Sequence, residues 1–358
     1  MYRRGLIAGL LILPAPRTAA ETMRRTNPSV VPSQPEASEG SSGRPARIAL
    51  TRSGPVASET DGQVIENLDI DASAGAALTV QHRGVVVRNC RIRHAQGHGI
   101  HATGAVGLVL QDIDIDRTVR GDPDDKAEQY FNNINLFGCP NTVITRVKAS
   151  RGSSNIYVEN GAGTRIGFVE LHDARGPYPR GQNAQFNESP NSTLEDFSAE
   201  NGPSSWTEDN ISVYRSDGGV VRRGLVSYNN SPTGDGVMIE GSSNCLVADV
   251  DAVQQGNGAF AAVPDEETVC GGCVFLRCRT RQSYNTRRDG RAPPTSNGLS
   301  FYTRISKDAP RHTIADCHYD GLANPHNLIW DSRAVNGGWS LTHLPFTPRL
   351  PIRLRFGW

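Results

Sequence analysis

The sequence lacks an excess of charge of either sign. Lysine plus arginine number 37, and so do aspartate plus glutamate, so the formal net charge of the 358-residue chain is zero. Proteins that bind nucleic acid usually show a basic face, and we therefore expect no nucleic-acid partner. Lysine is itself scarce, at positions 126, 148 and 307 alone.

A membrane-length apolar run is missing as well. The run near the N-terminus, residues 6–13 (LIAGLLIL), is far below the roughly 20 residues that a membrane span needs. Because Arg3 and Arg4 precede it and the small residues TAA (18–20) follow, it has the layout of a signal peptide. We predict a signal peptide over residues 1–20, a disordered linker over 21–47 that is rich in Pro, Ser and Glu, and a secreted or periplasmic protein.

The remaining chain has no helical periodicity and instead repeats two sets of short, alternating strand-like segments. The shortest spacing between successive segments of one set is 22 residues. The apolar centres of the first set are Leu68, Cys90, Ile113, Val147, Val169, Phe197, Leu225, Val250, Cys278 and Cys317. The centres of the second set are Leu78, Ile100, Ile134, Ile156, Ala184, Ile211, Val237, Ala259, Leu299 and Leu328. We number the resulting units as coils one to ten.

Strands this short cannot bury an apolar face alone, but stacked coils share one continuous core. The sequence therefore predicts an all-β fold, a right-handed parallel β-helix of about ten coils over residues 48–336. A leucine-rich repeat would need an L-x-x-L-x-L frame, and a propeller blade about 40 residues. The proline-rich segment 337–358 breaks the repeat and is expected to cap the last coil, whose strand edges would otherwise stay unpaired.

Seven cysteines cannot all pair within one chain. Three of them fall in the apolar column of the first set, where a free cysteine behaves as a small hydrophobe. Cys245 and Cys273 are expected to stack on neighbouring coils. Cys270-x-x-Cys273 has the spacing of half a zinc site, but no second pair of cysteines has metal-binding spacing. Buried thiols, one disulfide in this group, and a metal site are the alternatives.

Insertions concentrate in one turn of the repeat, between the first and second segment of each coil. The long ones are 118–131, 174–181, 200–207, 229–234 and 283–297. Insertions on one face of a repeat array often mark its binding face. We therefore expect a cleft with raised ends, centred on coils five to seven.

An asparagine or glycine precedes most second-set centres, for example Asn155, Asn183 and Asn210. These residues tolerate the left-handed region of a sharp bend, and stacked asparagines in such a turn hydrogen-bond the backbone. One residue earlier, Asp209 and Asp235 occupy adjacent coils and are expected to face outward about 4.8 Å apart. Two carboxylates that close repel, which raises one pKa and serves no evident purpose in folding.

Paired acids suit glycosidic hydrolysis, in which one acid protonates the leaving oxygen and the other activates water or attacks. The predicted catalytic residues are Asp209, Asp235, Glu208 and Glu240. The predicted substrate-binding residues are Tyr178, Arg180, Gln182, Gln185, Trp206, Tyr214 and Arg215. Calcium, which takes several oxygen ligands, is possible at the aspartate pair; no other cofactor is expected. His94, His98 and His101 are taken as solvated side chains.

Across roughly residues 60–335 the sequence resembles the pectin lyase-like β-helix superfamily. Its segment EDNI (208–211) is similar to the double-acid frame of polygalacturonases, and TGDGV (233–237) stands where that family has G-H-G. Gln182 replaces the family's first acid, Asp235 replaces its histidine, and no R-I-K motif follows. The resemblance implies a cleft that acts on polysaccharide or oligosaccharide.

Three functions follow from these patterns. The first is hydrolysis of glycosidic bonds by the acid pair. The second is a uronate lyase that uses calcium at the acids and Arg180 or Arg215 as base, although arginine is a poor base at its usual pKa. The third is a glycan-binding or cell-surface solenoid without catalysis. The sequence leaves the oligomeric state and the identity of the glycan open.

Overall fold

Strands account for nearly all of the regular structure, as the period-two pattern predicts. The computed structural model describes residues 48–118, 131–176, 181–203, 205, 207–231, 233–282, 298–321 and 328–358. These residues belong to one unit, Ala46–Trp358; the predicted signal peptide and linker lie outside them. No helix within the described ranges is long and apolar enough to cross a membrane.

The described strands form two sheets, with one short 3₁₀ helix at Ser332–Ala334. Sheet A contains β1 (Thr51–Ser53), β3 (Val64–Glu66), β4 (Leu68–Ala74), β6 (Val86–Gln96), β8 (Val109–Arg117), β10 (Val143–Ser150), β12 (Arg165–His172), β14 (Thr193–Glu200), β16 (Val220–Ser227), β18 (Leu246–Val253), β20 (Val274–Leu276), β21 (Arg279–Arg281), β23 (Thr313–Ala315), β24 (Cys317–Asp320) and β25 (Leu341–His343). Sheet B contains β2 (Val56–Ala57), β5 (Leu78–Val80), β7 (Ile100–Thr103), β9 (Ile134–Phe137), β11 (Ile156–Glu159), β13 (Ala184–Asn187), β15 (Ile211–Tyr214), β17 (Val237–Glu240), β19 (Gly258–Val263) and β22 (Leu299–Thr303).

Each coil contributes its first segment to sheet A and its second to sheet B. Strands pair in parallel with the same strand of the next coil; Val147 lies beside Val169, for example, and Ile156 beside Ala184. The predicted right-handed parallel β-helix is thereby confirmed. Strands β1 and β2 add a short further coil in front of coil one, which the repeat pattern did not reveal.

The register differs from the predicted columns at Leu225 in the first set and at Ala259, Leu299 and Leu328 in the second, where Phe260, Phe301 and Ile329 pair instead. Phe197 pairs with Gly224 instead of Leu225, because a Cβ on residue 224 would lie 2.0 Å from the Phe197 ring. The glycine thus gives the phenyl ring room in the core. On coil eight, Val237 pairs with Phe260 instead of Ala259. Phe260 therefore takes the core position that the repeat pattern had assigned to Ala259.

All seven cysteines are free and buried. The strand register places Cys245 beside Cys273, and Cys278 beside Cys317, on successive coils. The described residues contain no group of three or more His, Cys, Asp or Glu side chains placed to hold a metal ion. Among the alternatives, the structure therefore has buried thiols.

The C-terminal segment, residues 337–358, does more than cover the last coil. Strand β25 pairs with β24, and the chain then runs back along the outer face of sheet A. Arg349 donates its backbone N–H to Asp251 at 2.7 Å on coil eight, and Leu354 donates to Glu170 at 2.7 Å on coil five. Near its end, Gly357 accepts the N–H of Ile48 at 2.8 Å. The segment therefore ties the two ends of the solenoid together.

Asp251 anchors this segment and provides a test of it. Its side chain is fully buried, accepts two hydrogen bonds of 2.7 Å from Arg279, and receives the Arg349 N–H. Asp251→Ala should lower the free energy of unfolding by about 1–3 kcal/mol, because the half-buried Arg279 guanidinium and the Arg349 N–H lose their charged acceptor. Urea denaturation measures this loss.

Asp249 is the matched control, because it makes a similar bidentate pair with Arg277 on the exposed edge of the same strand. Asp249→Ala should cost less than about 1 kcal/mol. An equal loss in the two variants would contradict the anchoring role of Asp251.

Candidate functional site

A ladder of buried asparagines forms the bends into sheet B on coils three to six. The side-chain amide of Asn133 donates to Asn155 at 2.7 Å, Asn155 to Asn183 at 2.7 Å, and Asn183 to Asn210 at 2.8 Å. Asn133 and Asn155 also donate to backbone carbonyls at the ends of their sheet-A strands. The predicted structural role of these asparagines is confirmed, and the ladder sets where each following side chain points.

A second ladder occupies the column one residue earlier. Here the side chain of one coil accepts the backbone N–H of the next. His98 accepts from Asn132 at 3.2 Å, and Asn132 accepts from Ser154 at 2.9 Å. Asp209 accepts from Asp235 at 2.7 Å in the same way. The expectation that folding has no use for the aspartate at 209 was therefore wrong: its Oδ1 satisfies a buried N–H.

The two predicted catalytic aspartates are buried instead of facing a cleft. Asp209 is 5 % exposed and Asp235 is 0 % exposed. Burial raises the pKa of Asp209 well above its ordinary value, and the neighbouring Asp235 and Glu208 raise it further. Burial also raises the pKa of Asp235, against a weak hydrogen bond from Asn257 at 3.5 Å.

The loops of coils six and seven cause this burial. Asn229 donates to the carbonyl of Glu208 at 2.9 Å, and a side chain on Gly234 would collide with the same carbonyl. Asn230 donates to the carbonyl of Ser205 at 2.7 Å. The predicted cleft over coils five to seven is therefore filled at coils six and seven.

Calcium does not fit the aspartate pair. Asp235 is inaccessible, and one oxygen of Asp209 already accepts a backbone N–H. A calcium ion takes six to eight oxygen ligands, and the described residues contain no group of three or more Asp, Glu, His or Cys side chains placed to hold an ion.

An open groove lies instead on the outer face of sheet B, over coils two to six. Its volume is about 300 Å³. The lining residues used below are His98, Asn132, Tyr157, Gln182, Gln185 and Glu208, with Phe137 and Glu159 at the strand ends. Gln182, Gln185 and Glu208 were among the predicted site residues, and the structure brings these three together.

Hydrogen bonds hold the polar side chains of this groove in place. Gln182 donates its amide to Glu208 at 3.2 Å. Tyr157 donates its hydroxyl to Glu159 at 2.8 Å and accepts the Asn187 amide at 2.9 Å. Phe137 is 46 % exposed beside them. The groove thus combines fixed hydrogen-bonding groups with one open aromatic face.

The other predicted residues on sheet B, Glu240, Tyr214 and Arg215, line a separate cavity of about 510 Å³. Arg215 forms ion pairs with Asp265 at 2.6 Å and Glu267 at 2.7 Å. The hydrogen bond that Arg215 donates to Asp265 raises the pKa of its guanidinium above the ordinary value, so the group cannot serve as a lyase base. Burial raises the pKa of Glu240, but its cavity lies apart from the groove.

Tyr178, Arg180 and Trp206 fall outside the described residues. The three histidines are not simply solvated, as the sequence had suggested. His94 is fully buried, with its ring nitrogens 2.6 Å from Asn133 Oδ1 and 2.9 Å from the Gly97 carbonyl. His98 lines the groove, and its ring stacks on His101 with centroids 5.1 Å apart. The H-x-x-x-H-x-x-H spacing was the sequence signal for this part of the site.

The fold and groove define a parallel β-helix protein with a polar groove on one sheet. Comparisons with protein-family models and with curated proteins find no match. Among solved structures, the chain is similar to the Agl-KA catalytic domain, with a TM-score of 0.38 and 13 % identity over 82 % of this chain and 54 % of that one. It is also similar to the enzymatically active domain of bacteriophage CBA120 tailspike protein 2, with a TM-score of 0.30 and 8 % identity over 77 % of this chain and 43 % of that one. The chain thus spans about half the length of each neighbour.

The buried aspartates predict an unusual pH dependence of stability. An acid whose pKa is higher in the folded state keeps a proton that the unfolded chain releases, so stability falls as pH rises above about 4. Asp209→Asn keeps the oxygen that accepts the Asp235 N–H but removes the buried charge. We expect a higher thermal midpoint than wild type at pH 8 and a flatter pH profile, measured by calorimetry from pH 4 to pH 8.

Asp209→Ala is the control, because it also removes the acceptor of the Asp235 N–H. It should lower the free energy of unfolding by about 1–3 kcal/mol at all these pH values. A lower midpoint for Asp209→Asn at pH 8 would contradict the assignment.

Proposed function

We propose that this chain is a polysaccharide-acting enzyme that hydrolyses glycosidic bonds in the groove on sheet B, with Glu208 as general acid. The observation that carries the proposal is the position of Glu208. It lines the groove beside Gln182 and the polar side chains of coils two to five, whereas Asp209 and Asp235 are covered.

The lining of the groove suits a sugar chain. Sugars present hydroxyl groups that both donate and accept hydrogen bonds, and amide, phenol and carboxylate groups satisfy both roles. Gln185 and Tyr157 supply such groups along the floor. The exposed ring of Phe137 offers a flat apolar face beside them.

In the proposed reaction, Glu208 protonates the glycosidic oxygen as its bond to the anomeric carbon breaks. A water molecule then adds to that carbon and gives one proton back to the Glu208 carboxylate. The other groove carboxylate, Glu159, accepts the Tyr157 hydroxyl, and its backbone is two coils and six residues along the coil from the Glu208 register. We therefore do not assign it a role in this step.

A non-catalytic glycan-binding protein is the second candidate. The burial of Asp209 and Asp235, and the use of Asp209 in the backbone ladder, support it. A uronate lyase has less support, because Arg215 is held by two carboxylates and calcium does not fit the aspartates. Export, proposed from the signal-like residues 1–20, would suit an enzyme that meets polysaccharide outside the cell.

The test is digestion of a glycan array by wild type and Glu208→Gln, with products followed by mass and by the absorbance of unsaturated uronate. We expect hydrolysis products from wild type and a loss of turnover of about 10²- to 10⁴-fold in the variant, the usual contribution of a general acid. Glu195→Gln is the matched control on the opposite sheet, where the side chain pairs with Arg222 and Arg223.

The other outcomes separate the alternatives. Turnover that survives Glu208→Gln but is abolished by Asp209→Asn would show that the buried aspartates, and not Glu208, are catalytic. Unsaturated products would indicate a lyase. Binding without any product from wild type would leave a glycan-binding solenoid.

A further inference from the structure

His98 lies at the coil-two end of the groove, and the mechanism above does not use it. Its ring is half-buried, lines the groove and stacks on His101. Two ring nitrogens are available for hydrogen bonding, and which one carries the proton decides whether the groove meets a donor or an acceptor. The surrounding hydrogen bonds answer that question.

The backbone N–H of Asn132 lies 3.2 Å from His98 Nδ1. A backbone N–H can only donate, so Nδ1 must be the acceptor. In the neutral imidazole the proton then lies on Nε2. No described residue forms a hydrogen bond with His98 Nε2, so this N–H is available to a ligand in the groove.

The neighbouring network is consistent with the same tautomer for His101. Asn132 Oδ1 accepts the Ser154 N–H at 2.9 Å, which fixes the orientation of that amide. Its Nδ2 therefore donates to Asn135 Oδ1 at 2.8 Å, and Asn135 Nδ2 in turn donates to His101 Nδ1 at 3.1 Å. The Ser154 N–H, which can only donate, thus fixes the orientation of the Asn132 and Asn135 amides and the tautomer of His101. The hydrogen bonds around His98 therefore have a single arrangement.

The ring of His98 remains neutral over a wide pH range. Burial, together with the neighbouring rings of His101 and His94, lowers its pKa to about 4. Protonation of Nδ1 would also break the bond from the Asn132 N–H. His98 is therefore suited to act as an uncharged donor and not as an acid–base group near neutral pH.

We propose that His98 is a binding residue for the glycan. Its Nε2–H donates a hydrogen bond to an acceptor oxygen of a sugar at the coil-two end of the groove. The inference rests on the proposed function, and it extends the binding surface to a position four coils from Glu208. Such an oxygen can belong to a hydroxyl of a neutral sugar or to the carboxylate of a uronate.

The binding experiment uses calorimetric titration of defined linear hexasaccharides, one panel neutral and one uronate-containing. His98→Asn keeps an oxygen that can accept the Asn132 N–H, as Asn132 itself does for Ser154, but its short amide no longer reaches into the groove. We expect its dissociation constant to rise about 3- to 10-fold, the loss of one neutral hydrogen bond, with a thermal midpoint close to wild type.

The matched control is His101→Gln, which alters the stacked neighbour that does not line the groove and should change affinity less than 2-fold. The panel that shows the His98→Asn effect identifies the source of the oxygen. If wild type binds a hexasaccharide and His98→Asn binds it equally well, the His98 inference is wrong and the proposed function stands. If wild type binds neither panel, the proposed function fails first.

The tautomer is tested without any glycan. Long-range proton–nitrogen correlation of the histidine rings should show His98 with protonated Nε2 and bare Nδ1 between pH 5 and pH 8. Loss of that ring signal in His98→Asn assigns it. A proton on Nδ1, or a titration midpoint near the ordinary value of about 6.5, would overturn the inference.

Discussion

The stacking of one bend upon the next is the constraint on which the rest of this structure depends. Where each coil turns into sheet B, backbone N–H groups leave the ladder of one sheet before they enter the other, and buried N–H groups need acceptors. The column that includes His98 and Asp209 supplies those acceptors, whereas the asparagines from Asn133 to Asn210 donate to strand-end carbonyls and to one another. The identity of each side chain there is therefore set first by hydrogen bonding and only then by chemistry.

This constraint explains how a buried structural aspartate can be mistaken for a catalytic one in the sequence. Asp209 occupies a position that on other coils is filled by Asn132 or Ser154, and all of them accept the next coil's N–H. The oxygen is required, whereas the charge is not, and burial next to Asp235 makes that charge costly. Glu208 is one residue earlier, and its side chain reaches the groove. A shift of one residue at a bend thus separates a structural carboxylate from an accessible one.

The open groove and the C-terminal segment divide the surface of the solenoid. Sheet A carries the segment that contacts Asp251 and Glu170 on its outer face, so that face is partly covered. Sheet B has on its outer face a groove lined by buried and half-buried amide, phenol and imidazole groups over coils two to six. Because strands of successive coils are about 4.8 Å apart, this groove presents hydrogen-bonding groups at a regular spacing along the solenoid.

The sequence by itself determined the coils, the two sheets and the structural asparagines, since period-two strands at a regular spacing have one way to share a core. It also predicted Gln182, Gln185 and Glu208 as site residues, which the structure brings together in one groove. It could not place Gly224 opposite Phe197, because only the packed ring shows which residue must lack a side chain. Nor could it decide whether Asp209 and Asp235 face solvent. That depends on how the loops of coils six and seven fold back over the bends, through contacts such as Asn229 with Glu208, which join residues far apart in the sequence.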